Sequence, residues 1–276
     1  MAGSAEAAGN NGRAADRLLQ VLLLFTREES LTADRIAERT GIPVSTVYRL
    51  LARLTDSGFV RHSPAGAVYA AGPVAVQFAE RYRSGALQRT AIGPRLARLS
   101  QESGELAAYL VPVGTEALCV DAVEGPRLLR CCYSRGATQP LLRGATAQAM
   151  LASLPEERRQ AVYAAYRLPP DRVRHLEAEH EQVRQVGVAV SEGALDEGVW
   201  GASAPVLDAA GVLGGAVTVM APAARTALRR PHYIRLVKEA ARDLSLLFNL
   251  ARGPGLPGSI VSRTENAAVP HASRCR

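Results

Sequence analysis

The side chains with most chemistry to offer lie together between positions 43 and 53. After Pro43 come Ser45, Thr46, Tyr48, Arg49 and Arg53, interleaved with Val47, Leu50, Leu51 and Leu54. The 3–4 spacing of the aliphatics predicts a helix that buries them on one face and leaves the polar residues outward. Short hydroxyls at the start of such a helix let it approach the major groove of DNA closely, where Ser45 and Thr46 would donate to phosphate or touch bases. One turn on, Arg49 carries the planar fork that matches guanine O6 and N7. Tyr48 and Arg53 suit the sugar-phosphate backbone or flanking bases. For Arg49 alone, a solvated or phosphate-bound arginine stays as the alternative. For the unit as a whole, the alternatives are a winged-helix module that contacts protein and a DNA-binding regulator that needs no ligand.

The elements that must position this helix are legible around it. Ala15, Leu18, Leu19, Leu22, Leu23 and Phe25 predict a first helix with one apolar face. Thr32 is a good N-cap for a second helix over 33–40, with Ile36 and Ala37 inward. Gly41 supplies the left-handed residue that ends it. Ile42 and Val47 plug the angle between the second and third helices, and Gly58 stops the third. Residues 59–62 and 67–70 read as two short strands around the turn Ser63, Pro64, Ala65, Gly66. Helix, helix, turn, helix, hairpin is the order of a winged helix-turn-helix. In it, Thr32 would face the backbone beside the second helix, and Arg61, His62 and Gly66 would place the wing on phosphates.

Net charge adds little to this reading. The chain carries +7 overall, but residues 1–72 hold eight arginines against seven acids, and residues 105–250 balance at sixteen against sixteen. The excess sits in the segment 73–104 and in the tail. Local placement, not a broad basic patch, must carry the case for nucleic acid.

Other chemistries find weaker support. Cys119, Cys131, Cys132 and Cys275 show no CxxC or Cys/His spacing for zinc. The adjacent pair disfavours a simple structural bridge. Reduced, mostly buried thiols in strands are expected, with a redox switch as the alternative. His175 and His180 lie five apart on a predicted helix and so leave one face, a poor metal pair. Residues 211–215 are glycine-rich but lack the GK[ST] ending of a phosphate loop. No GxSxG nucleophile elbow is present. The chain is therefore read as no enzyme, with no metal and no cofactor. The apolar run at 21–25 is far too short to span a bilayer, and no secretory leader is visible. A soluble, cytoplasmic protein with no membrane partner is expected.

Five segments follow: a disordered N-terminus over 1–12, the winged helix-turn-helix over 13–72, a linker helix over 73–104, a second domain over 105–250, and a disordered tail over 251–276. Gly85 and Pro94 would interrupt the linker. In the second domain, residues 106–113, 117–123 and 128–133 read as strands, 144–154, 156–166 and 171–186 as helices, and 188–190 as a short strand. Residues 202–207 and 215–220 form a hairpin, and 231–250 a last helix. The fold class is α+β. The helix start at Gly144, Ala145 and Thr146 is a sensible anion site, since its free N–H groups favour a carboxylate.

The run Ile36-Ala37-Glu38-Arg39-Thr40-Gly41 and the run Ser45-Thr46-Val47-Tyr48-Arg49-Leu50-Leu51, with Gly58-Phe59-Val60, resemble the IclR family of bacterial regulators. Matches continue at Val123-Glu124-Gly125-Pro126, Thr146-Ala147, Gly187-Val188-Ala189-Val190 and Ala204-Pro205-Val206. The resemblance covers about residues 13–250. It implies a winged helix-turn-helix, a linker helix and a GAF-like effector-binding domain. It also implies homodimers, often paired into tetramers, on partly palindromic double-stranded operators, as in repressors of this family. A small-molecule effector, an organic or aromatic acid, would sit against Gly144, Ala145, Thr146, Ser191, Gly201, Thr218 and Met220. Leu142-Arg143-Gly144 stand where the family often has His or Cys, Ala147-Gln148 replace a frequent Gly-Lys, and Met220 and Ser191 replace more polar residues. These departures imply a larger or more apolar ligand, with Arg143 or Arg135 available to its carboxylate and Trp200 either lining the pocket or filling the core.

Overall fold

The computed structural model describes residues 3–63, 66–85 and 88–251. It divides into two compact units, one running to Ser84 and the other beginning at Gly85.

The first unit contains α1 (Gly3–Leu24), β1 (Leu31–Thr32), α2 (Ala33–Thr40), α3 (Val44–Asp56), β2 (Val60–Ser63), β3 (Val68–Ala71) and α4 (Val74–Ser84). Its core joins Val21, Leu24 and Phe25 of α1 to Ile36, Ile42, Val47, Leu50, Leu51, Leu54 and Val60. The three strands form an antiparallel sheet in the order β1-β3-β2. Its end is clasped at Gly72, whose N–H donates to the Phe59 carbonyl at 2.8 Å. A Cβ at Gly72 would lie 2.2 Å from the Gly58 carbonyl oxygen, so no larger residue fits there.

Two expectations for this unit change. The first helix reaches back to Gly3, through the stretch expected to be disordered; the alanines of that stretch are the strongest helix formers. Leu19 and Leu23, expected inward, are exposed, while Val21 and Leu24 are buried. The run from Leu18 to Phe25 is apolar nearly all round, so periodicity could not choose its buried side. Pro64 and Ala65 of the wing turn lie outside the described residues, as does the tail from 252.

The second unit is a six-stranded antiparallel sheet in the order β6-β5-β4-β9-β8-β7. The strands are β4 (Leu106–Val113), β5 (Glu116–Val123), β6 (Thr138–Pro140), β7 (Ala189–Glu192), β8 (Val199–Leu207) and β9 (Leu213–Pro222). One face carries α5 (Gly93–Ser103) and α9 (Arg230–Ala251), packed on Ala107, Tyr109, Ala202, Val206, Val217 and Val219. The other carries α6 (Gly144–Ser153), α7 (Glu156–Ala165) and α8 (Pro170–Val186), packed on Ala108, Leu110, Ala117 and Ala216. Strand alternation sorts β8 cleanly: Trp200 and Ala202 face α5 and α9, so Gly201 and Ser203 face α6. Trp200 therefore fills the core against Tyr233, with ring centroids 5.7 Å apart, on the opposite face of the sheet from Gly201.

The expected linker is split. Its first half is α4, in the first unit; its second half, α5, buries Leu96 and Leu99 in the core of the second. Residues 128–133 are not a strand. Leu128 is 99% and Leu129 71% exposed, and the third short strand is β6, which pairs with β5 only over Glu116–Leu118. Beyond it Arg135 closes the edge of β5, donating to Asp121 at 2.6 Å and to the Ala122 carbonyl at 3.1 Å. Cys131 and Cys132 consequently lie on a loop, half-buried and exposed, and only Cys119 of these is in a strand. No described helix is long and apolar enough to cross a membrane.

Candidate functional site

The first surface is built by α2, α3 and the wing. Thr32 caps α2, its hydroxyl accepting from Arg35 N at 3.2 Å, and Gly41 ends the helix at φ +68°. Helix α2 is thus fixed at both ends, and Gly41 sets the start of the turn to α3. Pro43 starts α3 with its carbonyl accepting from Thr46 N and Val47 N. No side chain caps this end, which leaves N–H groups of the first turn to an outside acceptor.

With Val47, Leu50, Leu51 and Leu54 buried, α3 turns Ser45, Tyr48, Arg49 and Arg53 to solvent and leaves Thr46 half-buried. Arg35 and Arg39 are tied to Glu38 and Glu28. Arg49, Arg53 and Arg61, all exposed, make no ion pair among the described residues. On the wing, His62 pairs with Tyr69 across β2 and β3 and stacks on it at 4.5 Å. Burial, then the neighbouring Tyr48 phenol, hold the Tyr69 pKa above its ordinary value. Gly66 is exposed just before β3. Sequence reasoning missed Tyr69; its signal was an aromatic directly opposite His62 in the hairpin register.

The second site lies where α6 meets β7, β8 and β9. A small cavity of about 10 Å³ is lined by Ala145, Thr146, Ser191, Leu195, Val199, Gly201, Thr218 and Met220, room for about one water. Six of the seven positions singled out in this region therefore surround one void. The seventh, Gly144, has φ +82° and lies directly under Leu195: a Cβ there would be 2.9 Å from Leu195 Cγ. Leu195 thus occupies the space that the glycine leaves open.

The polar wall is a run of hydroxyls. Ser191 Oγ accepts from Ala145 N at 2.9 Å. Thr146 Oγ1 lies 3.0 Å from Ser203 Oγ, Ser203 donates to Thr218 Oγ1 at 2.6 Å, and Thr218 donates to the Ala202 carbonyl at 3.0 Å. Thr146, Ser203 and Thr218 are all buried. No ionisable side chain lines the void. Arg135, expected to be available to a carboxylate, is committed to β5, whereas Arg143 is exposed at the start of α6. Leu195, Val199 and Ser203 were missed. Ser203 could have been found as a polar residue on the Gly201 side of an otherwise apolar strand; Leu195, in a loop, left no periodic signal.

A separate buried cluster ties α7 to α8. His180 Nδ1 is 3.0 Å from Tyr163 Oη, and Arg159 pairs with Glu177 at 3.0 Å. His175, by contrast, is exposed and pairs with Glu179, so the two histidines point apart. Among the described residues no group of three or more His, Cys, Asp or Glu is placed to hold a metal.

Comparison with known proteins bears on both units. Residues 14–64 match the family model for the IclR helix-turn-helix domain, and residues 85–246 match that for the bacterial transcriptional regulator IclR C-terminal domain. The chain is 36% identical over 202 residues to the HTH-type transcriptional regulator Rv1719 of Mycobacterium tuberculosis, covering 71% of this chain and 76% of that protein. It is 26% identical over 246 residues to the HTH-type transcriptional regulator KipR of Bacillus subtilis, covering 86% and 97%. The crystal structure of an IclR family transcriptional regulator from Brucella abortus shares the fold, with a TM-score of 0.76 over 90% of this chain and 96% of that one at 21% identity.

Proposed function

The chain belongs to the IclR family of transcriptional regulators, and on that premise we propose how its two sites divide the work. The protein is a DNA-binding regulator, not an enzyme. Its α3 lies in the major groove, with Ser45, Thr46 and Arg49 at base edges or nearby phosphates. Tyr48 and Arg53 meet the flanking backbone, while Thr32, Pro43, Arg61 and Gly66 set the depth and tilt of the unit on phosphates. The observation that carries this reading is the exposed Ser45-Tyr48-Arg49-Arg53 face, with no acidic partner for its arginines among the described residues, directly behind a buried aliphatic stripe.

The cavity beside α6 is the effector site, and filling it alters DNA affinity. The protein works in the cytoplasm as a homodimer or a dimer of dimers, which matches two recognition helices to the half-sites of a partly palindromic operator. Repression or activation then depends on where that operator lies relative to the promoter.

The test is Arg49→Ala in the full chain, measured by fluorescence anisotropy on a duplex selected by the wild-type protein from a random-sequence pool. Affinity should fall about 10- to 100-fold, the value of one bidentate base contact, with the fold intact by circular dichroism. Unchanged affinity would overturn the assignment of α3.

A further inference from the structure

We infer that the cavity is polarised for a small hydroxy acid and against the oxo acid of the same skeleton, an inference that rests on reading the cavity as the effector site. The reason lies in the direction of its hydroxyl chain. A carbonyl can only accept, so the hydrogen of Thr218 is spent on the Ala202 oxygen, 3.0 Å away. Ser203 Oγ, 2.6 Å from Thr218 Oγ1, must then donate to it. Each hydroxyl has one hydrogen, so the 3.0 Å contact between Thr146 and Ser203 can be made only with Thr146 as donor. The chain runs one way, from Thr146 inward to the backbone of β8.

Thr146 therefore faces the cavity with lone pairs only. Ser191 is its opposite: its oxygen accepts from Ala145 N, and its own hydrogen has no acceptor among the described residues. Adjacent residues of α6 anchor the two groups, so donor and acceptor stand side by side. A hydroxyl beside a carboxylate fits this pattern, with the hydroxyl giving its hydrogen to Thr146 and the carboxylate accepting from Ser191. An oxo group at the same place would set lone pair against lone pair, and a buried acceptor left without a partner is heavily penalised. Besides Thr146 and Ser191 the lining is Ala145, Leu195, Val199, Gly201 and Met220, with Thr218, whose hydrogen is already spent on Ala202, so the remainder of the ligand is largely apolar.

Entry requires Leu195 to move, because the void holds about one water. Its loop is bounded by Gly193 at φ +67° and Gly198 at φ +75°. Both glycines have open space where a Cβ would be. The ligand would take the place of the Leu195 side chain over Gly144.

The experiment is calorimetric titration of the full chain with two matched triads: lactate, pyruvate and propionate, then phenyllactate, phenylpyruvate and 3-phenylpropionate. The hydroxy member of at least one triad should bind about tenfold or more tightly than its oxo and unsubstituted partners. Ser203→Ala frees the Thr146 hydrogen and should abolish or invert that preference. Thr218→Val should do the same, because Ser203 can then turn its hydrogen to Thr146; it serves if Ser203→Ala does not fold. Equal binding of hydroxy and oxo acids, or a preference that survives both substitutions, overturns the polarity while leaving the effector cavity standing. If no member binds, even to Leu195→Ala with the cavity opened, the effector reading itself fails.

Discussion

Among single side chains, His180 gives the clearest pH dependence. It is fully buried, and burial pushes its pKa down from 6.5 to about 4, with Arg159 and Arg184 acting the same way against Glu177. The folded unit thus holds the imidazole neutral, while the unfolded chain takes up a proton near pH 6.5. Folding stability is complete above that pH and is lost as pH falls toward 4, by up to about 3 kcal/mol. Urea midpoints at pH 7.5 and 4.5 should differ, and His180→Phe should flatten the difference. Equal pH sensitivity in the variant would remove His180 as its source. Single residues were also where sequence and structure diverged most. Arg49 and Thr146 were legible because a helix face or helix start framed them. Leu195 was not, because its position depends on a loop path that only the packed sheet defines.

At the scale of elements, the helix-turn-helix was readable because each boundary has a local cause. Thr32 and Gly41 bracket α2, and the four aliphatics of α3 fall on one stripe. Thr32→Ala should therefore destabilise the first unit by about 1 kcal/mol, a fall of about 4–8 °C in its melting temperature. Thr32→Ser should restore it, since a serine hydroxyl also accepts from Arg35 N. Melting followed by circular dichroism checks this, and an unchanged melting temperature for Thr32→Ala would show that the cap contributes nothing. Elements lacking such causes were misjudged. The buried side of α1 was ambiguous because the run is apolar nearly all round. Residues 128–133 have strand-like composition, but the edge of β5 that they would pair with is already closed by Arg135. The linker was legible as helical, yet its division between two units depends on which core captures Leu96 and Leu99, a tertiary fact.

For the molecule as a whole, the near-neutral N-terminal region sets the character of DNA binding. With few surplus cations, affinity must come from a small number of well-placed arginines, supplemented in the proposed dimer by a second copy of them. Operator affinity should fall with salt, and Arg53→Ala, which removes one phosphate contact from each subunit, should reduce the slope of log K against log salt by about 1 per subunit, about 2 for a bound dimer. Titrations between 50 and 200 mM salt read this directly; an unaltered slope would take Arg53 off the phosphates. The two-unit organisation also has an optical consequence. The chain has one tryptophan, and it is sealed beside Tyr233 in the unit that begins at Gly85. Excited at the red edge of the indole band, the protein emits from the effector-binding body alone, and the DNA-reading body stays dark. Its emission wavelength would register unfolding of the C-terminal body without interference, and Gly201, the next residue, faces the cavity from the other side of the sheet. The protein thus carries its own fluorescent reporter one residue from the site where a ligand would arrive.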